Sequence, residues 1–124
     1  MNASIASIDV VCAFVSQQSS VGEKRYVFTY TITITNTSDT PIQLISRHWH
    51  ITDGTGKVEE VYGEGVVGKQ PHIKPGGVFR YTSGSVLSTE IGTMEGQYVM
   101  RCQNGKKVGV SIPKFVLSIP RTIH

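Results

Sequence analysis

The chain has 124 residues, 39% of them hydrophobic and 17% charged, with a formal net charge of +3 and a pI near 9.0. That length builds one hydrophobic core without metal or disulfide staples, and the apolar share excludes an intrinsically disordered chain. The basic residues are scattered, paired only at Lys24-Arg25 and Lys106-Lys107, which excludes the dense basic stripe of a nucleic-acid binder.

At the N-terminus, Met1 to Ile8 shows no basic cluster followed by an apolar run, so no signal peptide is expected. No segment approaches the ~18 consecutive apolar residues of a membrane helix. The expected compartment is the cytoplasm. There Cys12 and Cys102 are expected as free thiols that fill the core, because cysteine is often buried.

Period-two alternation, the signature of a strand, recurs along the chain. Ala6, Ile8, Val10, Cys12 and Phe14 give a first strand. From Arg25 to Asn36 the residues Tyr26, Phe28, Tyr30, Ile32 and Ile34 share one face. Val27 and four threonines share the other. Asn36-Thr37-Ser38-Asp39 with Pro41 ends that strand as a turn. A third strand runs from Ile42 to Thr52 with Ile45, Trp49 and Ile51 on one side, and Asp53-Gly54-Thr55-Gly56 turns it into a return strand from Lys57 to Tyr62. Pro75-Gly76-Gly77 introduces Val78 to Ser83. Asn104-Gly105 joins Gln97–Gln103 to Lys106–Ile112. Pro113 breaks the run before a last strand carrying Phe115, Leu117 and Ile119.

No long stretch has helical periodicity. Seven to eight short antiparallel strands in ~120 residues predict an all-β fold, an immunoglobulin-like or fibronectin type III-like β-sandwich in a single domain, 1–124. Cys12 lies too far upstream of Trp49 for an antibody-type disulfide, so the disulfide-free fibronectin type III kind is favoured. Open sheet edges leave monomer and homodimer both open.

Three stretches together resemble the ApaG family. They are Arg47-His48-Trp49-His50-Ile51-Thr52-Asp53; the run from Gly63-Glu64-Gly65-Val66-Val67-Gly68 through Gln70-Pro71, Pro75-Gly76 and Tyr81-Thr82-Ser83-Gly84; and Gly92-Thr93-Met94-Glu95-Gly96-Gln97-Tyr98. Ile112-Pro113 with Phe115 and Leu117 adds to the match, which covers nearly the whole chain. The resemblance implies a small cytosolic sandwich protein with no established enzymatic activity. It also implies a genetic association with cobalt resistance and magnesium efflux and, through a related domain of eukaryotic F-box proteins, protein recognition. At position 50, commonly apolar in relatives, this chain has His50.

Gly63-x-Gly65-x-x-Gly68 matches the dinucleotide fingerprint, which works where glycines turn a strand into a helix whose amides meet a pyrophosphate. Here Pro71 and Pro75 follow, so a structural loop is expected instead of nucleotide-gripping helix. A phosphate could still rest in a nest of amides at Gly63, Gly65, Gly68 and Lys69, with His72, Lys74 and Arg80 near in sequence. His48 and His50 share one strand face and, with Asp53, form a candidate divalent-metal site, although no further His or Cys completes a zinc set. No nucleophile elbow or carboxylate pair points to catalysis, so no enzyme activity and no cofactor are expected. The leading expectation is a protein-interaction module whose partner meets the Gly63–Gly77 loop through Glu64, Val66, Val67, Gln70 and His72. The rival is binding of pyrophosphate, nucleotide phosphates or divalent cations at that loop and at His48 and His50.

Overall fold

The computed structural model describes residues 4–120; the first three residues of the segment searched for a leader lie outside them. Eight strands follow in order: β1 Ala6–Phe14, β2 Tyr26–Asn36, β3 Ile42–Asp53, β4 Val58–Glu64, β5 His72–Ile73, β6 Val78–Leu87, β7 Ile91–Cys102 and β8 Lys107–Ser118. All the pairings are antiparallel. One sheet has the order β1-β2-β6. The other has the order β4-β3-β7-β8, and β5 adds to β3. The expected all-β sandwich is therefore what the chain forms.

The alternation of β2 decides how the layers meet. Phe28, Tyr30, Ile32 and Ile34 are buried on its inner face, opposite Leu44, Trp49, Met94, Tyr98, Met100, Ile112 and Leu117 of the larger sheet. Trp49 is the hub of this interior. Its ring stands edge-on to Tyr30, Tyr98 and Phe115, an arrangement that aligns positive ring edges with negative ring faces. Val27, expected on the threonine face, is buried as well. A 3₁₀ turn at Ser16–Gln18 folds over this end of β2, where Ser19 Oγ accepts from the Val27 amide at 2.9 Å and donates to the Val15 carbonyl at 2.7 Å.

Two irregularities change the sequence reading. A bulge between Leu44 and Ser46 switches the inward face of β3, so Ile42 and Leu44 point to the core before it and Trp49 after it. Ile45 is consequently not a core partner of Trp49. A second shift pairs Met94 with Phe115 but Gly96 with Ile112, setting Pro113-Lys114 against Glu95. Proline needs no ladder partner in a bulge. Pro113 therefore does not end a strand, and β8 runs through it.

Cys12 is exposed and Cys102 half-buried, both free thiols, so the core-filler reading fails for Cys12. Cys12 stands on an edge strand, where its Sγ donates to the Val116 carbonyl of β8 at 3.2 Å. The Asn104-Gly105 hairpin also differs in detail. The Cys102 amide donates to Lys106 O, leaving Gln103, Asn104 and Gly105 as the loop, with Gly105 at φ 84°. A left-handed glycine at the end of such a loop matches the strand twist.

Candidate functional site

The β3–β4 hairpin is closed by the same loop chemistry. The Asp53 amide donates to Lys57 O, and Gly56 takes φ 90°. Asp53 Oδ1 accepts from the amides of Thr55 at 2.9 Å and Lys57 at 3.0 Å and from the Thr55 hydroxyl at 2.7 Å. The Thr55 hydroxyl is the main cause that holds the Asp53 carboxyl below its ordinary range. This turn fixes the register, and the register places His50 opposite Glu60 and His48 opposite Tyr62. Side chains opposite one another lie on the same face. His48, His50, Glu60 and Tyr62 thus stand together on the outer face of the larger sheet, while Trp49 anchors the strand from within.

Both imidazole Nε2 atoms lie 3.3 Å from Glu60 Oε1. Each of the three residues offers one ligand atom within 4.8 Å of the other two. Tyr62 stacks on His48 with ring centroids 3.8 Å apart and planes 13° from parallel, and the two imidazoles are 4.5 Å apart. His48 Nε2 is buried and has no hydrogen-bond partner, so its approach to Glu60 is close in distance but not aligned for donation. A shallow groove continues from the pair over Glu95, Gln97, Ser111 and Lys114. Two imidazole nitrogens and a carboxylate oxygen at one point are a donor set for a late first-row metal.

Asp53, expected as the third donor, does not join them. It lies an odd number of residues from His50, hence on the opposite strand face, and its carboxylate is engaged in the turn. Glu60 takes that place. It escapes a reading that follows one strand at a time, but the register implied by the Asp53–Gly56 turn puts it opposite His50.

The glycine segment forms a second, smaller structure. Gly63 and Glu64 still belong to β4. Gly65, at φ 64°, donates to Ile45 O at 2.7 Å, and a Cβ there would stand 2.2 Å from the Lys69 carbonyl oxygen. Val66 and Lys69 exchange both backbone hydrogen bonds around Val67 and Gly68, whose φ angles are 44° and 78°. Positive φ at both central residues marks the mirror-image turn that suits a two-residue hairpin. No helix follows Gly68. Gln70 Nε2 donates to Ile45 O at 2.9 Å, the Leu44 amide donates to Pro71 O at 3.0 Å, and His72–Ile73 pair with Ile42–Gln43.

The segment is therefore not the free loop expected from Gly63 to Gly77 but a hairpin and a short strand laid along the β3 bulge. Of the partner-facing side chains expected there, Glu64, Val67, Gln70 and His72 are exposed, while Val66 is fully buried as an anchor. The amides of Gly65 and Lys69 donate within the protein, to Ile45 O and Val66 O, which removes those two from the expected anion nest. Lys74 is exposed, and Arg80 stands on β6 in the other sheet, its Nε donating to Thr33 Oγ1.

Among the described residues no helix is long and apolar enough to cross a membrane. A family model described as the ApaG domain matches residues 16–102. Curated relatives called Protein ApaG include one from Aromatoleum aromaticum, 53% identical over 94% of this chain and 92% of its own length. Another, from Xylella fastidiosa, is 54% identical over the same shares. The crystal structure of an ApaA protein from Bordetella pertussis superposes with a TM-score of 0.91 at 50% identity, covering 94% of this chain and 95% of that one. The chain belongs to the ApaG family.

Proposed function

We propose that this protein is a non-catalytic binding module that takes up an extended segment of a partner protein as an added strand beside β6. The observation that carries the reading is the state of that edge. The ten residues of β6 pair with β2 on one side, without a register shift, and β6 ends the sheet order. Natural edge strands are usually blunted by proline, by bulges or by charges. β6 has no proline, and its one charged residue, Arg80, is drawn across to Thr33. The other edges differ. β4 carries Glu59, Glu60 and Glu64, β8 carries Pro113 with Lys107 and Lys114, and β1 lies against β8 through Cys12.

An open edge gives affinity through main-chain hydrogen bonds and specificity through alternate side chains. Exposed Val78 and Val86 would meet apolar side chains at the two ends of the added strand. The four exposed side chains of the glycine hairpin are secondary contacts in this reading. The indirect link to cobalt resistance and magnesium efflux that the family resemblance carries would run through the protein so bound.

The test is selection of displayed peptides on the full chain, followed by amide exchange of the complex. Alternate amides of Val78–Leu87 should gain protection, and the bound peptides should lose affinity when their own backbone amides are methylated. Binders that protect the Gly65–Ile73 hairpin and leave β6 exchange unchanged would place the site elsewhere and sink the proposal.

A further inference from the structure

We propose, independently of the β6 reading, that His48, His50 and Glu60 form a binding site for a divalent zinc-class metal ion, held through the two imidazole Nε2 atoms and a carboxylate oxygen of Glu60. The first support is spacing. With Zn–N and Zn–O bonds of about 2.0–2.2 Å, two donors on a tetrahedral ion stand about 3.3–3.5 Å apart. Two sides of the donor triangle, His48 Nε2 to Glu60 Oε1 and His50 Nε2 to Glu60 Oε1, measure 3.3 Å each. On the remaining side, each imidazole offers a ring nitrogen within 4.8 Å of the other's.

The second support is the state of His48 Nε2. A charge-assisted hydrogen bond from an imidazolium to a carboxylate is short and aligned. The contact seen is neither, and the nitrogen is left buried without a partner. Buried polar atoms are nearly always satisfied, so such an orphan beside two other ligand-type atoms points to a missing electrophile. A metal ion placed between the three atoms satisfies all of them at once.

The third support is rigidity. Both histidines and the glutamate stand on paired strands, Trp49 fixes β3 from the core side, and Tyr62 stacks on the His48 ring. Donors held by packing and by regular backbone lose little freedom on binding. Imidazole nitrogens select zinc, nickel and copper, whereas calcium and magnesium take oxygen ligands and magnesium keeps much of its water. Three protein donors leave a fourth position for water or a group from a bound molecule, and the groove lined by Glu95 and Gln97 adjoins the two histidines.

The test is titration of the full chain with zinc ion by calorimetry, alongside magnesium ion, in a Cys12→Ser background so that the exposed thiol contributes nothing. Zinc should bind with a stoichiometry of one, shift the ring resonances of His48 and His50, and bind at least tenfold more weakly in His50→Ala and in Glu60→Gln. Magnesium should produce no such ring shifts. His50 and Glu60 are part-exposed, so both variants should keep the parent melting temperature without metal, and the losses would then report ligation. Zinc binding within twofold of the parent in both variants, binding that disappears on Cys12→Ser alone, or zinc shifts confined to His72 would each overturn the assignment.

Discussion

The guanidinium of Arg47 lies over the α-carbon of Gly63, its neighbour across the β3–β4 ladder, so closely that a Cβ at 63 would stand 2.5 Å from Cζ. From there Nη1 donates to Gly65 O at 2.6 Å and to Glu64 O at 3.3 Å. The first glycine of the segment is thus explained by a side chain and not by a ligand. It leaves room for a cation that ties the end of β4 to the hairpin beyond it.

That relationship predicts a thermodynamic coupling. The atoms a Cβ would meet belong to the far end of a flexible side chain, so Gly63→Ala should displace Arg47 and leave the fold intact. The loss of hydrogen bonds to the guanidinium should cost about 1–3 kcal/mol, as should Arg47→Ala. In the Arg47→Ala background, Gly63→Ala should be close to neutral. Urea unfolding of the four proteins measures the cycle, and simple addition of the two single effects would contradict the contact.

Val67 predicts a gain in stability. A β-branched residue at φ 44° occupies the left-handed region, which costs an ordinary residue roughly 1–2 kcal/mol. Its side chain is exposed, so little packing is lost on replacement. Val67→Asn or Val67→Gly should raise the melting temperature by several degrees, which for a domain of this size corresponds to about 1 kcal/mol. Gly65→Ala should do the opposite and more strongly, because its Cβ would meet the backbone of Lys69 and not a side chain. A melting temperature for Val67→Asn below that of the parent would show that the turn is not strained.

Asn36, legible in the sequence only as part of a turn, is a buried hub. Its Nδ2 donates to Ile73 O at 2.8 Å and to Thr40 O at 2.9 Å, while Oδ1 accepts from the Ser38 amide and hydroxyl. Asn36→Ala should take the side-chain donor from the Ile73 carbonyl, while the Ser38 hydroxyl still reaches Thr40 O at 2.9 Å, and destabilise the protein by roughly 1–3 kcal/mol. The loss should be felt first at β5, so hydrogen exchange of the His72 and Ile73 amides should accelerate more than that of β2. Equal acceleration throughout would mean that Asn36 supports the fold globally and has no special hold on the short strand.

The sandwich was readable because alternation is a local property: Tyr26 to Ile34 declare an inner face without reference to any other segment. What escaped was set by pairs distant in sequence. The bulge at Ile45 depends on the carbonyl being needed by Gly65 and Gln70, some twenty residues away. The exposure of Cys12 depends on its strand lying at an edge. Glu60 becomes a neighbour of His50 only once the hairpin register is fixed, whereas Asp53, nearer in sequence, faces the other way. The same locality explains the glycine segment. Its spacing imitates a phosphate-binding fingerprint, but what each glycine answers to is Arg47, the Lys69 carbonyl and a tight turn.

Tyr81 of β6 and Tyr98 of β7 hydrogen-bond hydroxyl to hydroxyl across the sandwich, joining the two sheets through the core. Burial pushes the Tyr81 hydroxyl up to about 12, and it pushes Tyr98 upward further, with the nearby Tyr81 adding to the effect. Both folded-state values thus lie above the ordinary 10.0. For an acid raised in this way, the folded state holds its proton where the unfolded chain has lost it. The stabilisation is complete below about pH 10 and falls as the pH rises from there through about 12. Urea midpoints should therefore drop steeply over that window, and Tyr98 should give phenolate absorbance only as the protein unfolds. Tyr98→Phe should cost about 1–3 kcal/mol at neutral pH, since it leaves the buried Tyr81 hydroxyl without its partner. Replacing both tyrosines by phenylalanine should cost less than the sum of the single changes, and it should flatten the alkaline decline. A double variant with the parent's full alkaline slope would show that other groups govern the loss.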